Sequence, residues 1–88
     1  MEIQLKLYGS SKILSNEETL SIKLPNNSNI SKLRDILKKI ISEKYSKSNL
    51  ENLSRTAAFF SEKNEVVNDS YKLTDKELIS IIPPIGGG

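Results

Sequence analysis

One stretch of this chain holds helical spacing for several turns, and segments that alternate with period two flank it on both sides. Ile30, Leu33, Ile36, Leu37, Ile40 and Ile41 recur at intervals of three and four, so they share one face of a helix. Lys32, Arg34, Asp35, Lys38 and Lys39 take the opposite side. Asn29 stands where an N-cap belongs, because its side-chain oxygen can accept from an unpaired amide of the first turn. The spacing predicts a helix from there to about Tyr45.

The alternating segments supply the surface that such a helix must cover. Ile3, Leu5 and Leu7 alternate with Gln4, Lys6 and Tyr8, which predicts a half-buried strand over residues 2–8. Leu20, Ile22 and Leu24 repeat the pattern over 19–24, and Pro25-Asn26-Asn27 ends it with turn residues. The polar connection Gly9 to Glu18 carries no firm assignment. Leu50 and Leu53, three apart in a polar stretch, suit one short helical turn.

Arg55 to Ser61 is the third strand candidate, and Lys63-Asn64 is a turn leading to a brief strand at Glu65 to Val67. Of Phe59 and Phe60, one belongs to the core and one to the open face, and spacing does not choose between them. Glu77 to Ile82 is the last strand. One helix packed on one face of a sheet is an α+β arrangement. A helix between the second and third strands, with the last strand beside the first, is a β-grasp sheet of four to five strands. The expected layout is a folded domain over residues 1–82 and a tail over 83–88.

Composition narrows the chemistry. At 88 residues the chain is one domain, and it buries roughly 60% of its unfolded surface, which leaves little volume for a deep pocket. Hydrophobic residues at 36% and charged residues at 27% suit a compact soluble domain. A net charge of +2 with scattered lysines does not make a nucleic-acid surface. No apolar run approaches the roughly 20 residues of a membrane helix, and the opening residues lack a signal-peptide layout, so the cytoplasm is the expected location. The chain has neither cysteine nor histidine, which removes thiolate nucleophiles, Cys/His zinc sites and imidazole bases. The remaining acids, bases and tyrosines show no catalytic spacing. Independent turnover is not expected.

The segment Pro83-Pro84-Ile85-Gly86-Gly87-Gly88 is where chemistry is expected. Two prolines hold the backbone extended as the last strand ends, and three glycines add reach without side chains. Six extended residues span roughly 20 Å at about 3.3 Å each. A carboxylate at Gly88 is inert until ATP converts it to an acyl-adenylate, after which a sulfur nucleophile can displace AMP. A partner must supply both the ATP site and the sulfur. A narrow channel admits glycine where any Cβ would obstruct it.

The run from Asp75 through Ile82 into Pro83-Pro84-Ile85-Gly86-Gly87-Gly88 resembles the C-terminal signature of the molybdopterin synthase small-subunit family, the ubiquitin-like sulfur carriers of molybdenum cofactor synthesis. The opening strand through Tyr8-Gly9 and the helix after Asn29 are similar as well. Three positions depart from the usual pattern: Gly86 stands where Ser, Thr or Ala is common, Ser10-Ser11-Lys12 replaces an Arg-Glu pair, and Lys76 occupies a turn position that usually holds Gly.

The resemblance implies that an E1-like adenylating enzyme activates Gly88 and that a sulfurtransferase system makes the thiocarboxylate. The tail would then donate sulfur to cyclic pyranopterin monophosphate inside the large synthase subunit, in a heterotetramer of two small and two large subunits. No cofactor or metal is expected on this chain, since the ATP is used by the adenylating partner. No nucleic acid or membrane is an expected partner. Ile79 and Ile81 should face the helix, leaving Leu78, Ser80 and Ile82 on the outer face with Tyr8. Tyr8 and Ile82 would then form an apolar docking patch beside the tail. A thiamine-type sulfur carrier, a ubiquitin-like modifier linked through Gly88, and a plain binding module with an inert tail are the alternatives.

Overall fold

The computed structural model describes residues 1–44 and 52–83. The expected helix end at Tyr45, Leu50, and the tail residues Pro84, Ile85, Gly86, Gly87 and Gly88 lie outside the described residues. Five strands form one mixed sheet: β1 (Glu2–Leu7), β2 (Thr19–Lys23), β3 (Ala58–Phe60), β4 (Val66–Val67) and β5 (Leu78–Ile82). Their spatial order is β2-β1-β5-β3-β4. The helix α1 (Ile30–Lys44) and the short helix α2 (Leu53–Thr56) complete the described elements with a 3-10 helix at Gly9–Leu14.

Alternation decides which side of each strand is dry. Ile3, Leu5 and Leu7 of β1 are buried, as are Ile79 and Ile81 of β5. The two strands run parallel with Leu5 opposite Ile79 and Leu7 opposite Ile81, so the inward residues meet in rows. On the other side β1 pairs antiparallel with β2, Ile3 opposite Ile22. Helix α1 lays Ile30, Leu33, Leu37 and Ile41 against this layer. Of the six apolar residues expected on its face, Ile36 and Ile40 are only half-buried, because a 3-4-4 spacing already fills the stripe the sheet can cover.

The start of α1 is set by local bonds. Asn29 accepts from the Lys32 amide through its side-chain oxygen at 3.0 Å, as an N-cap does. The Ile30 and Ser31 amides donate to the carbonyls of Tyr71 and Asp69, so the first turn leaves few donors open.

Two segments differ from the expected layout. The strand predicted for Arg55 to Ser61 begins only at Ala58, because Arg55 and Thr56 close α2. Leu53 and Ala57, four apart, are both buried there, and the run Ala57 to Phe60 has no alternation to mark the change from helix to strand. The unassigned connection after β1 contains the 3-10 helix, whose Ser11 and Leu14 are buried. The choice between the phenylalanines is settled by register: Phe59 lies opposite Ile81 and is fully buried, while Phe60 lies opposite Ser80 on the outer face.

Candidate functional site: the root of the tail

Because β1 and β5 are parallel, both strands finish at the same end of the molecule. Tyr8 and Gly9 therefore stand beside Ile82 and Pro83, though more than seventy residues separate them in sequence. β5 lies between β1 and β3, so the segment carrying the tail leaves from the middle of the sheet rather than from an edge. Gly9 has a φ of +56°, and a Cβ placed on it would come 3.6 Å from Cγ and 3.8 Å from Cδ of Pro83. Pro83 is half-buried against this turn.

The outer face of the sheet next to Pro83 is apolar. Tyr8 is 37% exposed, and Ile82, facing the same way, is half-buried opposite Ala58. Phe60 continues the surface across β3 and pairs with Val66, the most exposed large apolar residue described, at 68%. Tyr8, Phe60, Asn64, Ser80 and Ile82 line a shallow hollow of about 220 Å³. The Lys6 ammonium lies 5.5 Å from the centre of the Tyr8 ring, a cation-π distance. Tyr8, by hydrogen bonding and then by charge, and Glu18 beyond it hold the Lys6 pKa above the usual lysine value.

A larger hollow of about 560 Å³ sits at the opposite end of β1, between Met1, Glu2, Lys23, Leu24, Pro25 and Asp75. Two of the polar groups around it are engaged within the fold. The Met1 ammonium donates to the Leu24 carbonyl at 2.8 Å, and the Glu2 amide donates to Asp75 at 2.8 Å. Neither bond involves the tail. Among the described residues no cluster of three acidic, Cys or His side chains could hold a metal ion.

Of the residues expected to act, Tyr8, Ile82 and Pro83 are brought together, with Tyr8 and Ile82 on the outer face as alternation predicts. Pro84, Ile85, Gly86, Gly87 and Gly88 lie outside the described residues. Alternation already predicts Ser80 on the outer face, and the structure puts it there opposite Phe60. Phe60, Asn64 and Val66 join the surface through pairing across β5, β3 and β4, which no spacing along the chain signals.

No family model matches the chain, and no curated protein sequence matches it. Solved structures do match. Small archaeal modifier protein 1 from Haloferax volcanii superposes with a TM-score of 0.69 at 12% identity, over 96% of this chain and 98% of that one. A putative molybdopterin converting factor subunit 1 from Pyrococcus furiosus gives 0.63 at 17% identity, over 96% and 98%. One chain in the complex of subunits 1 and 2 of molybdopterin-converting factor from Helicobacter pylori gives 0.58 at 23% identity, over the whole of this chain and the whole of that one. Agreement over nearly the whole length of each chain, with this strand order and one main helix on one face, gives the protein the α+β β-grasp fold.

Proposed function

We propose that this protein is a sulfur carrier, the small subunit of a molybdopterin synthase, with the carboxyl group of Gly88 as its working group. The observation that carries the reading is the placement of Pro83. The strand before it lies in mid-sheet, an apolar hollow opens beside it, and Ile85-Gly86-Gly87-Gly88 follows it in sequence.

In the proposed cycle a carboxylate oxygen of Gly88 attacks the α-phosphorus of ATP in a partner adenylating enzyme, and pyrophosphate leaves. Hydrosulfide then attacks the acyl carbon, AMP departs and the sulfur loses its proton, which leaves a thiocarboxylate. In the large synthase subunit that sulfur bonds to a side-chain carbon of cyclic pyranopterin monophosphate as a carbon–oxygen bond at the same carbon breaks, the oxygen leaving as water or staying on the phosphate. Water cleaves the acyl–sulfur bond and returns the Gly88 carboxylate. The chain itself binds, presents and withdraws its terminus; it is a donor subunit of a sulfurtransferase complex and supplies no acid or base. The Helicobacter pylori likeness, a complex of subunits 1 and 2, supports a large-subunit partner, here assigned a two-plus-two assembly. A cytoplasmic location, with ATP at hand for the adenylating partner, belongs to the same proposal.

The test is a loading assay with the adenylating enzyme, ATP and a sulfur donor. Deleting Gly88, or adding one residue after it, abolishes thiocarboxylate formation while the circular dichroism spectrum stays that of the parent chain. Full sulfur transfer with the lengthened tail overturns the reading.

A second reading, a protein modifier joined to target lysines through the same carboxyl group, is favoured by one observation. The superposition on the archaeal modifier is better than on either converting-factor subunit. Lys76 is the last basic residue, so trypsin would leave the peptide Glu77 to Gly88 on any modified lysine. Mass spectrometry of host extracts decides between a carrier without that remnant and a modifier with it.

A further inference from the structure

We propose that Gly9 and Ser11 are positioning residues that aim the tail, by ending the pairing of β1 with β5 and seating Pro83 on a glycine turn. The purpose assigned to the seat rests on the sulfur-carrier reading, but the seat itself does not.

Ser11 is a fully buried polar residue in a small core. Its hydroxyl accepts from the Tyr8 amide at 2.9 Å and donates to the Tyr8 carbonyl at 2.6 Å, and its own amide also donates to that carbonyl at 3.2 Å. Both main-chain groups of Tyr8 are thus occupied by one side chain. The register of β1 with β5 stops one residue earlier, at Leu7 opposite Ile81. Ile82 therefore goes on without a partner in β1, and Pro83 has no amide to offer one.

The next residue makes the seat. At a φ of +56° Gly9 turns the chain beneath the Pro83 ring, in a conformation that side chains with a Cβ rarely adopt. A methyl group there would meet the ring at ordinary contact distance, so conformation and not room selects glycine. A proline of fixed φ resting on that turn sets the direction in which the following residues start out. The acyl carbon of Gly88 must reach a reacting atom in another protein, and misplacement of a reacting group by about 1 Å can cost on the order of a hundredfold in rate. A firm root beside the Tyr8–Ile82 surface links where the partner docks to where the terminus arrives.

The experiment compares full-length Gly9→Val, Gly9→Asn, Ser11→Ala and Pro83→Ala chains by two readouts. The first is the nuclear Overhauser contact between the α-protons of residue 9 and the Pro83 ring, which needs no partner. The second is thiocarboxylate formation by the adenylating enzyme with ATP and sulfide. Asparagine tolerates a positive φ and valine does not. Gly9→Asn therefore keeps the contact and the parent kcat. Gly9→Val and Ser11→Ala lose the contact, and their kcat falls on the order of ten- to a hundredfold, with KM moving less. If either fails to fold, Pro83→Ala takes its place and shows the same loss of kcat with the parent spectrum elsewhere. Parent kcat in Gly9→Val or Pro83→Ala overturns the proposal, as does absence of the contact in the unaltered chain. An unaltered chain that shows the contact but never takes sulfur overturns the carrier reading instead, and leaves the seat supported.

Discussion

Arg34 illustrates how much a single side chain does in so small a fold. Its Nε donates to Asp69 at 2.9 Å, and its Nη1 donates to the carbonyls of Ser54, Arg55 and Ala57 at 3.1, 3.2 and 2.8 Å. Its guanidinium also lies 4.8 Å from the centre of the Phe59 ring. The carbonyls come from the end of α2, so one cation caps that helix and ties it to α1. Asp69 is well exposed, and its ion pair is worth less than about 1 kcal/mol. The carbonyls, left without a donor, set the larger cost. Arg34→Ala is expected to destabilise the domain by about 2–3 kcal/mol in denaturant unfolding, and Arg34→Lys to recover only part of it.

At the same scale, the hydroxyl of Tyr71 donates to Glu77, and this bond, then burial, pushes the Tyr71 pKa up to about 12. The unfolded chain loses that proton near pH 10. The contribution to stability is therefore whole below about pH 10 and disappears as pH rises through about 12. Lys6 titrates in the same direction, so the useful quantity is the difference between two chains. Unfolding free energies of the parent should fall more steeply over this range than those of Tyr71→Phe. Equal slopes would mean the bond does not form. Lys76, in the turn just before Glu77, holds a φ of +66°, a conformation that glycine adopts more readily than a residue with a Cβ.

Among the elements, those with long regular patterns were legible in the chain. Both long β-strand patterns and the helix repeat over enough residues to define a face, and β1, β2, α1 and β5 lie where spacing predicts. The 3-10 helix was not legible, because its buried anchor is Ser11 and its two apolar residues are adjacent, Leu14 turned inward and Ile13 outward. The passage from α2 to β3 was hidden in an unbroken apolar run, which also hid the sides of Phe59 and Phe60. Within the candidate site, Tyr8, Ser80 and Ile82 follow from alternation and Pro83 from the tail motif, whereas Phe60 and Val66 depend on which strands are neighbours. The two faces of the sheet should respond differently to substitution. Phe59→Ala is expected to cost about 3–5 kcal/mol in unfolding. Ile82→Lys should cost about 1 kcal/mol or less while weakening capture of the adenylating enzyme. A large loss of stability with unchanged capture would place Ile82 in the core.

For the whole molecule, the decisive feature is the parallel pairing of the first and last strands, with the rest of the chain as their crossover. That pairing puts Gly9 under Pro83, gathers Tyr8, Ile82 and Phe60 on one face, and gives the six final residues a common point of departure. With no cysteine or histidine anywhere in the chain, the sulfur chemistry proposed here has to be carried by a main-chain group and completed by other proteins. The most direct measurement is the intact mass of the protein isolated from its native host. The expected species ends at Gly88 with one oxygen replaced by sulfur, the replacement mapping to that residue. A native chain that continues past Gly88 untrimmed, or one that never acquires sulfur when the adenylating enzyme is present, would contradict it.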